Sequence, residues 1–145
     1  MNKEDVQMIV SEAFIQNLDA LTDRLAALPT IRLAGIPCEK VRSSLDHATR
    51  CYLYGLLEPS AALCRAALEA ALDDRVPKSQ QESTNLEDRI NQAHRLNSLT
   101  NSEAASAHRI RQMGNHAAHG RHVQEAVVKL ALQDLKAILE NLYGS

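Results

Sequence analysis

The segment Arg111-Gln-Met-Gly-Asn-His-Ala-Ala-His119 places an arginine, an asparagine and two histidines within a short stretch of chain. Four of the six histidines fall between His108 and His122, Arg109, Arg111 and Arg121 lie among them, and no acidic residue occurs between Glu103 and Glu125. In a chain of formal net charge −2 this is a local cationic island, suited to an anion. Arginine offers a planar, permanently charged fork for phosphate, histidine moves a proton near neutral pH, and asparagine orients a water or hydroxyl. Those parts suit phosphodiester cleavage without metal. In RNA a histidine would take the 2′-hydroxyl proton while arginine stabilises charge on the phosphorane, leaving a cyclic phosphate.

On a helix turning about 100° per residue, with Arg111 at zero, Asn115 lies at about 40°, His108 at about 60° and His119 at about 80°, whereas His116 falls off that side. Ile110, Met113 and Ala117 cluster on the far side, so the core stripe and the Arg-Asn-His stripe are expected to face opposite ways. The polar stripe would then meet water, a ligand or another subunit. A structural reading uses the same residues differently: Asn115 and His119 hydrogen-bond neighbouring helices and Arg111 lies at the surface. A metal reading rests on His116, His119 and His122, but Gly120 is expected to end the helix before His122, and no acidic or thiol ligand is near in sequence.

The elements that must position these groups all read as helices. Val6, Ile9, Val10, Ala13, Phe14, Leu18, Leu21, Leu25 and Leu28 recur at three-and-four spacing and predict an amphipathic helix ending before Pro29. Pro37 and Pro59 suit first turns, predicting helices over about Cys38–Leu57 and Pro59–Arg75. Pro77 to Ser83 reads as a surface loop. Thr84 with Glu87 and Thr100 with Glu103 have capping-box spacing, which predicts a short helix to about Arg95 and a longer one to His119, stopped by Gly120. A last helix is expected to turn Val123, Val127, Leu130, Ile138 and Leu142 inward and to end near Gly144. From Ala61 to Leu72 only Arg65 and Glu69 are polar, so this helix should be central. Arg65 and Glu69 can pair one turn apart, either on an exposed stripe or beside the Arg111 segment or a subunit interface.

At 145 residues, 45% apolar and 23% charged, the chain is expected to form one domain over 1–145 and to bury about two-thirds of its unfolded surface. The absence of strand-like alternation makes it all-α. Cys38, Cys51 and Cys64 lack Cys-x-x-Cys spacing and read as reduced, buried thiols, in keeping with a cytoplasmic protein. Neither a secretory leader pattern nor an apolar run near the ~20 residues of a membrane span is present. Phe14, Tyr52, Tyr54 and Tyr143 are too few and scattered for a base-stacking platform, and no glycine-rich phosphate loop or cofactor motif occurs.

The pattern Ala61-Ala-Leu-Cys-Arg65-Ala-Ala-Leu-Glu69, a short helix with Leu86 and Ile90, and then Arg111-Gln-Met-Gly114-Asn115-His-Ala-Ala-His119 resembles domain of unknown function 4145, over roughly Ala48 to Tyr143. That family is similar in turn to the HEPN superfamily of helical bundles, many of which dimerise and cleave RNA without metal. The resemblance implies a bundle of about five to six helices, a homodimer, RNA as ligand or substrate, no cofactor, and a setting in bacterial defence, with a defence protein as a further partner. The HEPN signature is an arginine followed by four to six residues and a histidine. Arg111 to His116 and Arg109 to His116 fit it, while Arg111 to His119, the helical face-mates, does not. Arg111 is therefore expected to hold phosphate, His119 or His116 to transfer the proton, and Asn115 to orient the site, with Arg65 and Glu69 supporting. The competing expectation is a non-catalytic dimerisation or protein-interaction module.

Overall fold

The computed structural model describes residues 1–28, 33–78 and 85–144. Six helices follow in order: α1 (Lys3–Ala27), α2 (Glu39–Leu53), α3 (Leu57–Arg75), α4 (Leu86–Arg95), α5 (Asn101–Ala118) and α6 (Glu125–Tyr143), with a single 3₁₀ turn at Leu33–Gly35. Among the described residues there is no strand. The fold is an all-α helical bundle.

The Ala-rich helix is the hub. α3 buries Ser60, Ala61, Cys64, Ala67, Leu68, Ala70, Ala71 and Leu72 and packs against α2, α4, α5 and α6. Small side chains on several flanks let neighbouring helices approach closely. Against α2, whose Val41, Leu45, Ala48 and Tyr52 form one buried stripe, the Ser60 hydroxyl donates 2.7 Å to the Ala48 carbonyl, satisfying a buried polar group. Cys64 is enclosed and burial pushes its thiol up to about 12, whereas Cys38 and Cys51 are only half-buried. The three thiols are free, but just one is a core residue.

Several boundaries differ from the sequence expectation for local reasons. α2 stops at Leu53, four residues early, because Gly55 takes φ +76° and the Leu56 amide bonds back to the Cys51 carbonyl. Pro37 lies before the Cys38 cap rather than inside the helix. Thr84 and most of the Pro77–Ser83 loop lie outside the described residues. α4 is capped by Asn85, which accepts from the Asp88 amide. The Thr100–Glu103 box is present in both directions.

α6 turns Ile138 and Leu142 inward as expected, but its first half differs from the expected phase. Its inner residues are Val128, Ala131, Leu132, Leu135, Ile138, Leu139 and Leu142, while Val127 and Leu130 are exposed and Val123, though buried, precedes the helix. α1 lacks the single apolar face expected of it, since the exposed Met8, Ile9 and Ile15 lie off the Phe14–Leu18 side; it has no buried residue and meets the bundle only near its C-terminal end. There Arg24 donates to Glu125 and to the Leu53 carbonyl. Among the described residues no helix is long and apolar enough to cross a membrane.

Candidate functional site

α5 is bounded by a capping box at Thr100 and by Gly120, whose φ of +70° turns the chain off the helix just after His119. Its buried residues, Ala104, Ser106, Ala107, Ile110, Met113 and Gly114, span a wider arc than the Ile110–Met113–Ala117 stripe. Arg111 stands at the edge of that arc, not opposite the core. The expected separation of core and polar faces therefore fails over the first half of the stripe, because α3 and α4 both pack on this flank.

α4 takes up the first two stripe residues. His108 Nε2 lies 3.0 Å from Asn91 Oδ1, and Arg111 Nη2 lies 3.9 Å from Glu87 Oε1. The Arg111 side chain is 16% exposed, and its Nε is buried without a hydrogen-bond partner. His108 Nδ1 is also buried and unpartnered. Burial, and next the Arg111 guanidinium, hold His108 below the ordinary histidine range, against the opposing pull of Glu87.

α3 contributes Arg65, whose Nη1 bonds Glu69 Oε2 at 3.2 Å. Its aliphatic stem lies in a notch made by Gly114. A Cβ at residue 114 would come within 2.5 Å of Arg65 Cβ and 2.7 Å of Cδ, so only glycine admits the stem at this separation of α3 and α5. Arg65 thus lies against the Arg111 segment, the second of the two placements open from sequence, and Arg65 Nε, like Arg111 Nε, is buried without a partner.

The last turn is open. Asn115 is half-buried and His116 and His119 are exposed. None of the three side chains makes a hydrogen bond to any of the described residues. The structural reading required Asn115 and His119 to bond neighbouring helices and Arg111 to lie at the surface, and neither condition is met. The last turn also lies at the negative end of the α5 dipole, which disfavours an anion, so attraction must come from the guanidinium groups.

The cationic island is partly neutralised from elsewhere in the fold. Arg109 is on the His116 side of α5, but its Nη2 is held by Ser106 Oγ at 2.8 Å and by Asp134 of α6 at 3.1 Å. His122 lies past the helix and contacts Glu58 at 3.1 Å. Glu58 is held below the usual carboxylate range by its own amide, then by the Val123 amide and His122. Among the described residues no three His, Cys, Asp or Glu side chains are grouped to hold a metal ion.

Two polar residues escaped the sequence reading. Arg89, 3% exposed, donates to the Leu72 and Val76 carbonyls at 3.0 Å and to Gln92 Oε1 at 2.6 Å, while Gln92 Nε2 donates to the Pro77 carbonyl at 2.9 Å. The pair caps the C-terminal end of α3. The signal was present: Leu86, Arg89, Ile90 and Ala93 follow core spacing, with an arginine where an apolar residue belongs.

The chain matches no curated protein and no solved structure. A family model described as a domain of unknown function, DUF4145, matches residues 46–144. The match begins within α2, runs through α6, takes in Arg65, Glu69, Arg111, Asn115 and His119, and leaves out α1. Since well over half of the chain lies inside the match, the protein belongs to the DUF4145 family.

Proposed function

We propose that this chain is an HEPN-like helical domain that binds RNA at the open end of α5 and cleaves it without metal, in a bacterial defence or stress setting. The observation that carries the reading is the set of unused polar groups there. Arg65 and Arg111 keep buried Nε atoms without partners, and Asn115, His116 and His119 have no side-chain hydrogen bond to the described residues. Buried polar groups are normally paired, and a cluster of exceptions is where a ligand completes the hydrogen bonding.

In this reading Arg111, with Arg65 beside it, draws the phosphate, and Glu87 is its weak competitor at 3.9 Å. His119 or His116 removes the 2′-hydroxyl proton, the 2′-oxygen forms a bond to phosphorus, and the bond to the 5′-oxygen breaks as that oxygen takes up a proton. Asn115 orients the attacking hydroxyl. The products are a 2′,3′-cyclic phosphate and a 5′-hydroxyl end.

The test is incubation of the purified chain with single-stranded and structured RNAs in the presence of a chelator. Cleavage should occur, leave cyclic-phosphate ends, and fall at least 100-fold in Arg111→Ala and in one of His119→Ala or His116→Ala. Intact RNA, or equal cleavage by all three variants, would sink the enzymatic reading.

A second reading, a non-catalytic interaction module, is favoured by a different observation. The glycine and first arginine of the motif serve helix packing, since Gly114 exists to admit Arg65. RNA binding or cleavage lost in Arg111→Ala but with an unchanged melting temperature separates the two.

A further inference from the structure

Two features let a protein hold a nucleic acid more tightly as the strand lengthens: a row of cations that follows the phosphates, and aromatic side chains on which successive bases stack. The candidate site has neither beyond its first phosphate. The helices that frame it, α3, α4 and α5, carry no aromatic residue. Its two guanidinium groups already meet two carboxylates, Arg65 with Glu69 at 3.2 Å and Arg111 with Glu87 at 3.9 Å. Their pull on a phosphate is therefore local, through N–H donors left unpaired, Arg65 Nε and Arg111 Nε among them.

Acid stands where neighbouring phosphates would fall. α3 and α5 run antiparallel, since Gly114 packs on Arg65 while His122 and the Val123 amide, just past α5, reach Glu58 in the first turn of α3. Glu58, Arg65 and Glu69, spaced by seven and then four residues, share one flank of α3, so a carboxylate lies on either side of Arg65 along the groove. Those two acids are about 16 Å apart along the helix. Cations elsewhere are engaged: Arg24, Arg50, Lys78, Arg109 and Lys136 each pair with an Asp or Glu. Arg121, exposed two residues past His119, adds a third positive charge at that end of the groove.

We infer that the site takes a single phosphodiester with the nucleotide on each side of it, so that its ligand is a short single strand to which further length adds no affinity. This rests on the RNA reading of the α5 end. A duplex is disfavoured by the same charges, because double-stranded RNA is held by shape, through phosphates across successive grooves, and that needs a longer row of free cations.

The test uses the full chain carrying His116→Ala and His119→Ala, which stops proton transfer and leaves both arginines in place. The dinucleotide UpU, a uridine dodecamer and a duplex of the same length are titrated by NMR between about 50 and 200 mM salt. Affinity per phosphodiester should agree within about threefold for UpU and the dodecamer, and the duplex should bind no more tightly. For the dodecamer, the fall of log affinity with log salt should have a slope below about 2, the limit for three phosphates at ~0.7 each. The Nε–H resonances of Arg65 and Arg111 should shift with both single strands. A larger gain with length, a steeper salt slope, tighter binding of the duplex, or binding without the arginine shifts would overturn the inference while leaving an RNA-binding chain. No binding of any of the three at millimolar concentration would sink the RNA reading itself, and the inference with it.

Discussion

At the scale of single residues, Gly114 is the most constrained position of the motif. Gly114→Ala should gain about 1 kcal/mol of helix propensity, yet it forces a methyl into the Arg65 stem close to its backbone, where the side chain cannot swing away. Net destabilisation of about 1–3 kcal/mol is expected in urea unfolding, and a neutral or stabilised variant would disprove the close packing. Asn115→Ala and His119→Ala should each change stability by less than about 0.5 kcal/mol, because neither side chain bonds the described fold. His108 gives a pH test. Its folded-state affinity for a proton is lowered, so as pH falls the unfolded chain takes up the proton first. The contribution is complete above about pH 6.5 and is lost as pH drops through the lowered value. The urea midpoint should therefore fall more steeply below about pH 6.5 in the wild type than in His108→Asn, and parallel profiles would refute it. Residue types in the Arg111–His119 segment were legible in sequence, and Arg65 beside it was one of two placements open, but the partners Glu87 and Asn91 were not legible, since they arrive from α4 by tertiary packing.

At the scale of elements, α4 does more than its ten residues suggest. It covers His108 and Arg111 and, through Arg89 and Gln92, satisfies the carbonyls that end α3. Arg89→Ala should cost about 2–4 kcal/mol by leaving the Val76 carbonyl and Gln92 Oε1 unpaired and the Leu72 carbonyl with only the Val76 amide, in a dry site, and Arg89→Lys should recover only part of that, because one ammonium cannot span the same fork of acceptors. A loss below about 1 kcal/mol for Arg89→Ala in thermal unfolding would show that water replaces the guanidinium. The Thr100 cap and the central position of α3 were legible, because a Thr-x-x-Glu box and a helix apolar on nearly all sides are local signals. The phase of the first half of α6 was not. With Val127, Val128, Leu130, Ala131 and Leu132 almost consecutive, periodicity points in two directions, and only the α3 and α5 surfaces decide that Val128 and Leu132 go inward.

For the whole molecule, α1 was legible as a helix but not by the face it turns, because Met8, Ile9 and Ile15 also recur at helical spacing off the Phe14–Leu18 side and no part of the helix is buried. The structure separates α1 from the helices that bear the candidate site. Since α1 contributes no buried residue, a chain beginning at Leu33 should keep a cooperative transition, losing the Arg24 contacts to Glu125 and the Leu53 carbonyl and the packing of the half-buried Leu28 against the core, about 1–3 kcal/mol together. The same truncation should leave any RNA affinity per site within about twofold, because Arg65, Arg111, Asn115 and His119 lie on α3 and α5. Urea unfolding and RNA titration on this one variant therefore read two different parts of the molecule. If truncation instead broadens or removes the unfolding transition, α1 is a structural part of the bundle.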